Sequence, residues 1–188
     1  MKLVAIGCSW GGLAALTAVL GPLPEELDGT VVVAQHRSDE DSALESLLQE
    51  RTRLPVREAE DDDDLVDGAV FLAPPGYHLL VEPGRLALST DAPVQHARPS
   101  LDVLLESAAE AYGEDCVGVV LTGANADGAA GLAHVERRGG AAIVQDPDRA
   151  ERREMPDAAL AAVPGATVLP LPEIAGALVS LCGRRSRA

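Results

Sequence analysis

The sequence predicts an α/β domain of the doubly wound kind, with a mostly parallel sheet, flanking helices in a Rossmann-like three-layer arrangement and one β-hairpin. Short apolar runs rich in β-branched residues alternate with segments of helical spacing along almost the whole chain of 188 residues. Apolar residues make up 47% of the chain and aromatic residues only 2%, so we expect a core of Leu, Val, Ala and Ile. Because no repeat or linker interrupts the alternation, we expect one domain over residues 1–183 and a basic tail over 184–188.

Strands and helices follow one another in βα order. The predicted strands cover residues 3–6, 30–34, 55–58, 69–73, 117–121, 141–145 and 167–169, and a hairpin over 79–82 and 85–89 turns at Pro83-Gly84. The predicted helices begin near residues 13, 42, 100, 129, 155 and 172. Ser42, in the capping box Ser42-Ala-Leu-Glu45, and Ser100 are the predicted N-caps of the second and third helices.

A glycine-rich turn follows the first strand. Gly7-Cys8-Ser9-Trp10-Gly11 matches G-x-S-x-G, the nucleophile elbow that presents a serine hydroxyl between a strand and a helix. The N-terminal N–H groups of that helix, and those near Trp10 and Gly11, could stabilise an oxyanion. A purely structural turn and a phosphate-binding turn share the same pattern, so residues elsewhere in the chain must decide between them.

Two more polar side chains follow other predicted strands. His36 comes just after the strand over 30–34, and Asp127 lies in the small-residue turn after the strand over 117–121. Alone, His36 reads as a polar loop residue and Asp127 as a helix N-cap. The carboxyl ends of parallel strands meet at one sheet edge, however, so Ser9, His36 and Asp127 are predicted to form a nucleophile, base and orienting acid. Their chain order differs from the Ser, Asp, His order of α/β-hydrolases.

The net charge and the cysteine content exclude several classes of partner and ligand. Thirty acidic and fifteen basic side chains give a formal charge of −15, which disfavours nucleic acid and anionic membrane surfaces. The three cysteines lack metal-ligand spacing, and their odd number indicates a reducing, cytoplasmic setting without a metal site. No apolar run approaches the ~20 residues that cross a bilayer, so membrane insertion is not expected. The acidic run over 58–64 lacks the spaced ligands of a Ca²⁺ loop and is predicted to be a solvated loop.

With these segments in place, the chain resembles the catalytic domain of the CheB-type chemotaxis protein-glutamate methylesterases. The resemblance covers nearly the whole chain in family order, through IGCSWGG (6–12), AQH (34–36), VREAEDDD (56–63), FLAPPGYH (71–78), RPSLDVLL (98–105), GVVLTGANADGAAGL (118–132) and MPDAAL (155–160).

The resemblance implies a cytoplasmic serine hydrolase that demethylates glutamyl methyl esters on receptor helices, or on another carboxyl-methylated protein, and also deamidates glutamine. It places the nucleophile, base and acid on Ser9, His36 and Asp127, and it implies no cofactor. The receiver domain of the family is not expected, because the first strand begins at Lys2. The activity would then be constitutive or controlled by a separate protein.

Two departures from the family pattern affect the predicted oxyanion and substrate-binding residues, Trp10, Gly11, Ala124 and Asn125. Trp10 stands where the family has a hydroxyl residue, and Ala124-Asn125 replaces a Met-Gly pair. A catalytically weak or inactive binding module on the same fold is therefore the alternative. Nucleotide binding is disfavoured because the chain has neither G-x-G-x-x-G nor a P-loop lysine.

Overall fold

The computed structural model describes residues 1–37 and 43–183, within which nine strands and six α-helices alternate. The strands are β1 (Lys2–Cys8), β2 (Gly29–Gln35), β3 (Val56–Glu58), β4 (Val70–Leu72), β5 (His78–Glu82), β6 (Arg85–Ser89), β7 (Cys116–Val120), β8 (Ala141–Gln145) and β9 (Thr167–Leu169). The helices are α1 (Gly12–Leu20), α2 (Leu44–Gln49), α3 (Leu101–Tyr112), α4 (Ala129–Arg137), α5 (Glu154–Ala162) and α6 (Leu171–Cys182).

Seven of these strands form one parallel sheet in the order β3-β4-β2-β1-β7-β8-β9. From β1 the chain builds outward through β2, then crosses back to place β7 on the other side of β1. The strand order therefore reverses between β1 and β7, and in open α/β sheets ligands bind at the carboxyl ends of the strands at such a switch point.

Helices cover both faces of the sheet and bury two separate apolar cores. Alternate residues of β1 enter opposite cores, Val4 and Ile6 on one side and Leu3 and Ala5 on the other. The first core is closed by α1, α2 and α6, and the second by α3, α4, α5 and the hairpin. This is the three-layer α/β class predicted from the sequence, and the pattern of β1 shows why the strand reads as a continuous apolar run.

Most predicted elements are confirmed to within two residues. The strands β8 and β9 have the predicted bounds, and Ser100 caps α3, as its side chain accepts from the Val103 N–H at 3.5 Å. The hairpin β5–β6 is antiparallel as predicted and forms a separate two-stranded sheet. Ser42, the predicted cap of α2, and the basic tail lie outside the described residues. None of the described helices is both long enough and apolar enough to cross a bilayer.

The acidic run over 58–64 is a largely exposed loop, as predicted, and several of its carboxylates also have fixed partners. Its carboxylates attach the loop to the hairpin and the sheet edge: Asp61 accepts from the Leu88 N–H at 2.9 Å, and Asp62 pairs with Arg85 at 2.8 Å. Asp63 holds Arg57 through two hydrogen bonds, of 2.7 and 2.9 Å. Charge density predicts the exposure of this loop, but it does not predict the partners of these carboxylates on neighbouring elements.

Candidate active site

The ends of three neighbouring strands bring the predicted residues together at the switch point. Cys8 in β1 is in register with Gln35 in β2, so the next residues, Ser9 and His36, lie side by side at about the ~4.8 Å spacing of strands. The His36 N–H donates to the Cys8 carbonyl at 3.1 Å, which extends the pairing beyond β2. The Ser9 N–H donates to the carbonyl of Thr122, just after β7, at 2.9 Å. Backbone hydrogen bonds therefore fix all three strand ends.

Ser9 lies in a turn whose reversal is taken up by glycine. Gly11 has φ +78°, a conformation that favours glycine, and the Gly12 N–H donates to the Ser9 carbonyl at 2.8 Å. Ser9 itself has no positive φ, so the strained serine backbone of the α/β-hydrolase elbow is not reproduced. The half-buried Ser9 side chain lies against Gly123, where an added Cβ would be 3.0 Å from the Ser9 Cβ. Its hydroxyl makes no hydrogen bond with another described residue.

His36 and Asp127 form a hydrogen-bonded pair. His36 Nε2 lies 2.7 Å from Asp127 Oδ2, with the His36 side chain 14% exposed and the carboxylate fully buried. Because an ionised carboxylate only accepts, Nε2 carries the proton of the neutral imidazole and Nδ1 keeps the lone pair. Nδ1 is therefore the nitrogen with a lone pair that can accept a proton, the reverse of the ring orientation in chymotrypsin-type triads. The Asn125 side-chain nitrogen lies 3.4 Å from His36 Nδ1, which is longer than a normal hydrogen bond. Asn125 therefore leaves Nδ1 able to accept a hydrogen bond of normal length.

Asp127 is surrounded by hydrogen-bond donors. Oδ2 also accepts from the Leu101 N–H at 2.8 Å, and Oδ1 accepts from the Ser100 hydroxyl at 2.8 Å and the Asp102 N–H at 3.0 Å. Burial raises the pKa of the Asp127 carboxyl, but the hydrogen bonds from His36 and from the start of α3 outweigh burial, so the pKa lies below its ordinary value. Asp127 thus caps the N-terminus of α3, rather than that of α4, the helix that follows it in the chain.

Backbone donors for an oxyanion surround Ser9. The N–H groups of Trp10, Gly11 and Ala124 donate to no described residue, and they lie in the turns on either side of Ser9. Beside them, the Trp10 side chain is 60% exposed, and its Nε1–H donates to Glu151 Oε1 at 2.9 Å. The Arg152 guanidinium lies over the indole ring, 5.5 Å from the centroid. Glu151 and Arg152 therefore hold the exposed indole in place next to Ser9 in the chain.

A cavity of about 270 Å³ lies beside His36. It is lined by His36, Arg37, Gln95, His96, Ala97, Arg98, Pro99 and Asn125. Gln95 and His96 both have positive φ, 48° and 66°, and the Val94 and Ala97 backbones pair on either side of them. This is the geometry of a type I′ turn, which normally holds glycine or asparagine, so two side chains are held toward the site in a strained conformation.

Several residues of the site were not predicted from the sequence. Ser100 was predicted as a helix cap, but not as a donor to Asp127. Asp102, Gln95 and Thr122 were not singled out; Thr122 Oγ1 accepts from the Arg152 N–H at 2.9 Å and so ties the β7 turn to the loop under Trp10. The signal that could have identified Asp102 is its place in the first turn of the helix after Ser100. An acidic residue there is favoured by the free N–H groups of a helix N-terminus.

Fold and site together define a doubly wound α/β protein with a Ser, a His and an Asp at the switch point of its sheet. Comparison with known proteins identifies the family: residues 4–178 match the family model for CheB methylesterase, so the chain belongs to the CheB methylesterase family. It is 39% identical over 180 residues to a putative protein-glutamate methylesterase/protein-glutamine glutaminase of Leptospira interrogans, and covers 93% of that protein.

Two further comparisons support this assignment. The chain is 42% identical over 179 residues to the protein-glutamate methylesterase FrzG of Myxococcus xanthus. The aligned region is 94% of this chain and 54% of FrzG. The catalytic domain of Thermotoga maritima CheB methylesterase superposes with a TM-score of 0.91 at 31% identity, over 96% of this chain and 98% of that one. The family predicted from sequence motifs is confirmed. The roles of individual site residues remain predictions.

Proposed function

We propose that this protein is a cytoplasmic serine hydrolase that removes methyl groups from glutamyl methyl esters of chemoreceptor-like proteins, with glutamine deamidation as a related activity. The observation that carries the proposal is the hydrogen-bonded His36–Asp127 pair one strand away from Ser9, in a chain whose relatives are named protein-glutamate methylesterases.

In this mechanism the Ser9 Oγ attacks the ester carbonyl while His36 Nδ1 takes its proton. Asp127, already ionised and fully hydrogen-bonded, stabilises the imidazolium that forms. The N–H groups of Trp10 and Gly11, with Ala124 on the other side, donate to the oxyanion. Asn125 must turn aside when the serine proton arrives at Nδ1.

The tetrahedral intermediate then collapses and methanol leaves with the proton held by His36. Water, deprotonated by the same nitrogen, attacks the acyl-serine and releases glutamate and the free Ser9 hydroxyl. With a glutamine side chain the leaving group is ammonia and the product is the same. One site can thus perform both reactions named for the relatives.

The proposed partners are methylated receptor helices, with a separate protein as regulator. A charge of −15 argues against nucleic acid as a partner. A helix presents successive side chains on its surface, and the cavity lined by His36, Gln95 and His96 lies at the strand end next to the one that carries Ser9. A glutamyl side chain is long enough to reach from a helix surface to this edge of the sheet.

The test is labelling with a serine-directed fluorophosphonate, mapped by mass spectrometry, alongside methanol release from a methylated receptor peptide. We expect an adduct on Ser9 that is absent in Ser9→Ala and strongly reduced in His36→Ala. Ser46→Ala, which changes an exposed serine in α2, is the matched control and should label like the wild type. Unchanged methanol release by Ser9→Ala would refute the proposal.

A non-catalytic binding module is the second candidate, favoured by Trp10 in place of a hydroxyl residue and by a Ser9 hydroxyl without a hydrogen bond to His36. Binding of the receptor peptide by the wild type, with neither adduct nor turnover, would select this function.

A further inference from the structure

Two buried carboxylates next to the site cap each other's helices. Asp127, at the end of the loop before α4, accepts from the first N–H groups of α3 at 2.8 and 3.0 Å. Asp102, in the first turn of α3, accepts from the N–H groups of Gly128 and Gly131 at the start of α4, at 2.9 and 2.8 Å. Each helix N-terminus therefore holds the carboxylate carried by the other helix or its leading loop.

This crossed arrangement fixes the backbone on both sides of the Asp127 carboxylate. Gly128 directly follows Asp127, so the hydrogen bond from Gly128 to Asp102 holds the peptide unit that carries the acid. The helices also approach closely: a Cβ on Gly131 would lie 2.7 Å from the Leu105 Cβ and 3.0 Å from the Asp102 backbone. Little room remains for the Asp127 carboxylate to rotate away from His36.

Asp102 also places a second negative charge behind the His36–Asp127 pair. Burial raises the pKa of the Asp102 carboxyl, and the neighbouring Asp127 raises it further, while the N–H donors of Gly131 and Gly128 act in the opposite direction. Within the described residues, the charged or titratable groups that line the cavity beside His36 are Arg37, His96 and Arg98.

A third contact connects Asp102 to the cavity wall. Its Oδ2 accepts from Gln95 Nε2 at 2.7 Å, and Gln95 is the first central residue of the strained turn beside His36. One buried side chain thus contacts the start of α4 and the wall of the cavity in which a substrate would lie.

We propose that Asp102 is a positioning residue for the reaction, which holds Asp127 against His36 and adds a negative charge that favours the protonated imidazole formed during catalysis. This role rests on the proposed hydrolase function, but its first test does not.

The first measurement is the exchange rate of the proton between His36 Nε2 and Asp127, followed by NMR in the free protein. In Asp102→Asn we expect faster exchange or loss of this signal. Asp63→Asn is the matched control, since Asp63 also accepts a backbone N–H, from Glu60 at 2.7 Å, and pairs with an arginine outside the site. The control should leave the signal unchanged.

The second measurement is the pH profile of fluorophosphonate labelling and of kcat. Asp102→Asn should reduce kcat by about 10- to 100-fold with little change in KM, because a small displacement of the acid spoils alignment. Its half-maximal labelling should move to lower pH, because a negative charge behind the His36–Asp127 pair has been removed.

A lower melting temperature in Asp102→Asn with an unchanged exchange rate, pH profile and kcat would overturn the proposal, because Asp102 would then be only a helix cap. If Asp102→Asn does not fold, Gln95→Glu at an exposed position adds charge at the same carboxylate and should move half-maximal labelling to higher pH. No movement would overturn the proposal. An intact wild-type NMR signal in a protein without any labelling would contradict the hydrolase function alone.

Discussion

At the scale of single residues, the most informative group is Asp127. Its four hydrogen bonds keep it ionised, and His36 must therefore hold its proton on Nε2. The base nitrogen is selected by the partner of the other nitrogen, a general property of catalytic imidazoles.

Asp127→Asn should lower kcat by roughly 10⁴-fold. The new amide can donate to Nε2, which moves the imidazole proton to Nδ1 and removes the lone pair that accepts the serine proton. Steady-state methanol release measures kcat, and Asp63→Asn serves as the control. Activity within a few-fold of the wild type would show that His36 is not oriented by Asp127.

The same variant has a defined effect on acid stability. The pKa of Asp127 in the folded protein lies below the unfolded value of about 3.9, so the carboxylate stabilises the fold at neutral pH. That contribution is lost as pH falls through the folded pKa. The difference in unfolding free energy between wild type and Asp127→Asn should therefore shrink below about pH 4 in urea titrations.

Trp10 holds a carboxylate close to the proposed oxyanion donors. Glu151, held by the indole, lies over Gly11, where an added Cβ would be 2.6 Å from Glu151 Oε2. A carboxylate near the proposed oxyanion donors opposes the developing negative charge.

Trp10→Ser should raise kcat for a small methyl ester, by roughly tenfold at most, because it adds a hydroxyl donor and releases Glu151. Trp10→Phe is the control: it loses the N–H donor and so releases Glu151, but it adds no hydroxyl. Comparison of the two variants therefore separates the effect of releasing Glu151 from the effect of the hydroxyl. The exposed cation–π contact with Arg152 contributes about 0.5–1 kcal/mol, so Trp10→Ser should unfold slightly earlier. A slower Trp10→Ser enzyme would mean that the indole binds substrate.

At the scale of elements, the site depends on how closely the turns after β1 and β7 approach. Gly123 makes this approach possible, since a Cβ there would lie 2.5 Å from the Met155 Cε and 3.0 Å from the Ser9 Cβ. The Gly123 N–H also donates to the Arg152 carbonyl at 3.2 Å, which ties the turn to the next loop.

Gly123→Ala should therefore reduce Ser9 labelling and the melting temperature together. Gly176→Ala is the matched control: Gly176 lies within α6, and nothing is within 4 Å of the added methyl group. That variant should gain up to about 1 kcal/mol from helix propensity and label normally. Normal labelling of Gly123→Ala would show that the turn can move without disturbing Ser9.

The elements also show what sequence can and cannot predict. Ser9, His36 and Asp127 were located because apolar periodicity marks strand ends, and parallel strand ends meet at one edge. The reversed imidazole could not be predicted, because it depends on side-chain torsions that no periodicity encodes. Asp102 was missed because its role follows from the approach of α3 to α4, and the Gln95–His96 turn because it lacks the glycine or asparagine that marks such turns.

At the scale of the whole molecule, the net charge of −15 sets the conditions under which a substrate approaches. Each turnover converts a neutral methyl ester into a carboxylate, so a multiply methylated segment becomes more acidic as it is processed. The protein repels such a segment at long range, which also assists release of the product.

Arginines at the site modify this field locally. Arg98 lines the cavity beside His36 and, among residues 1–37 and 43–183, forms no ion pair; its Nη1 donates to the carbonyls of Thr90 and Asp91 at 2.9 and 3.0 Å. Arg152 lies over the Trp10 ring, next to Ser9 in the chain. The dependence of the reaction on salt therefore distinguishes long-range repulsion from local attraction.

We expect kcat/KM for an acidic methylated peptide to rise when salt increases from about 0.01 M to about 0.15 M, since the screening length falls from about 30 Å to about 8 Å. The shorter screening length removes the repulsion between the peptide and the distant acidic surface, and it leaves the short-range contacts at the site. A small neutral methyl ester should show no such rise, which makes it the control. A fall in kcat/KM for the acidic peptide would instead mean that attraction by Arg98 and Arg152 dominates its association, and Arg98→Gln should then abolish most of the salt dependence.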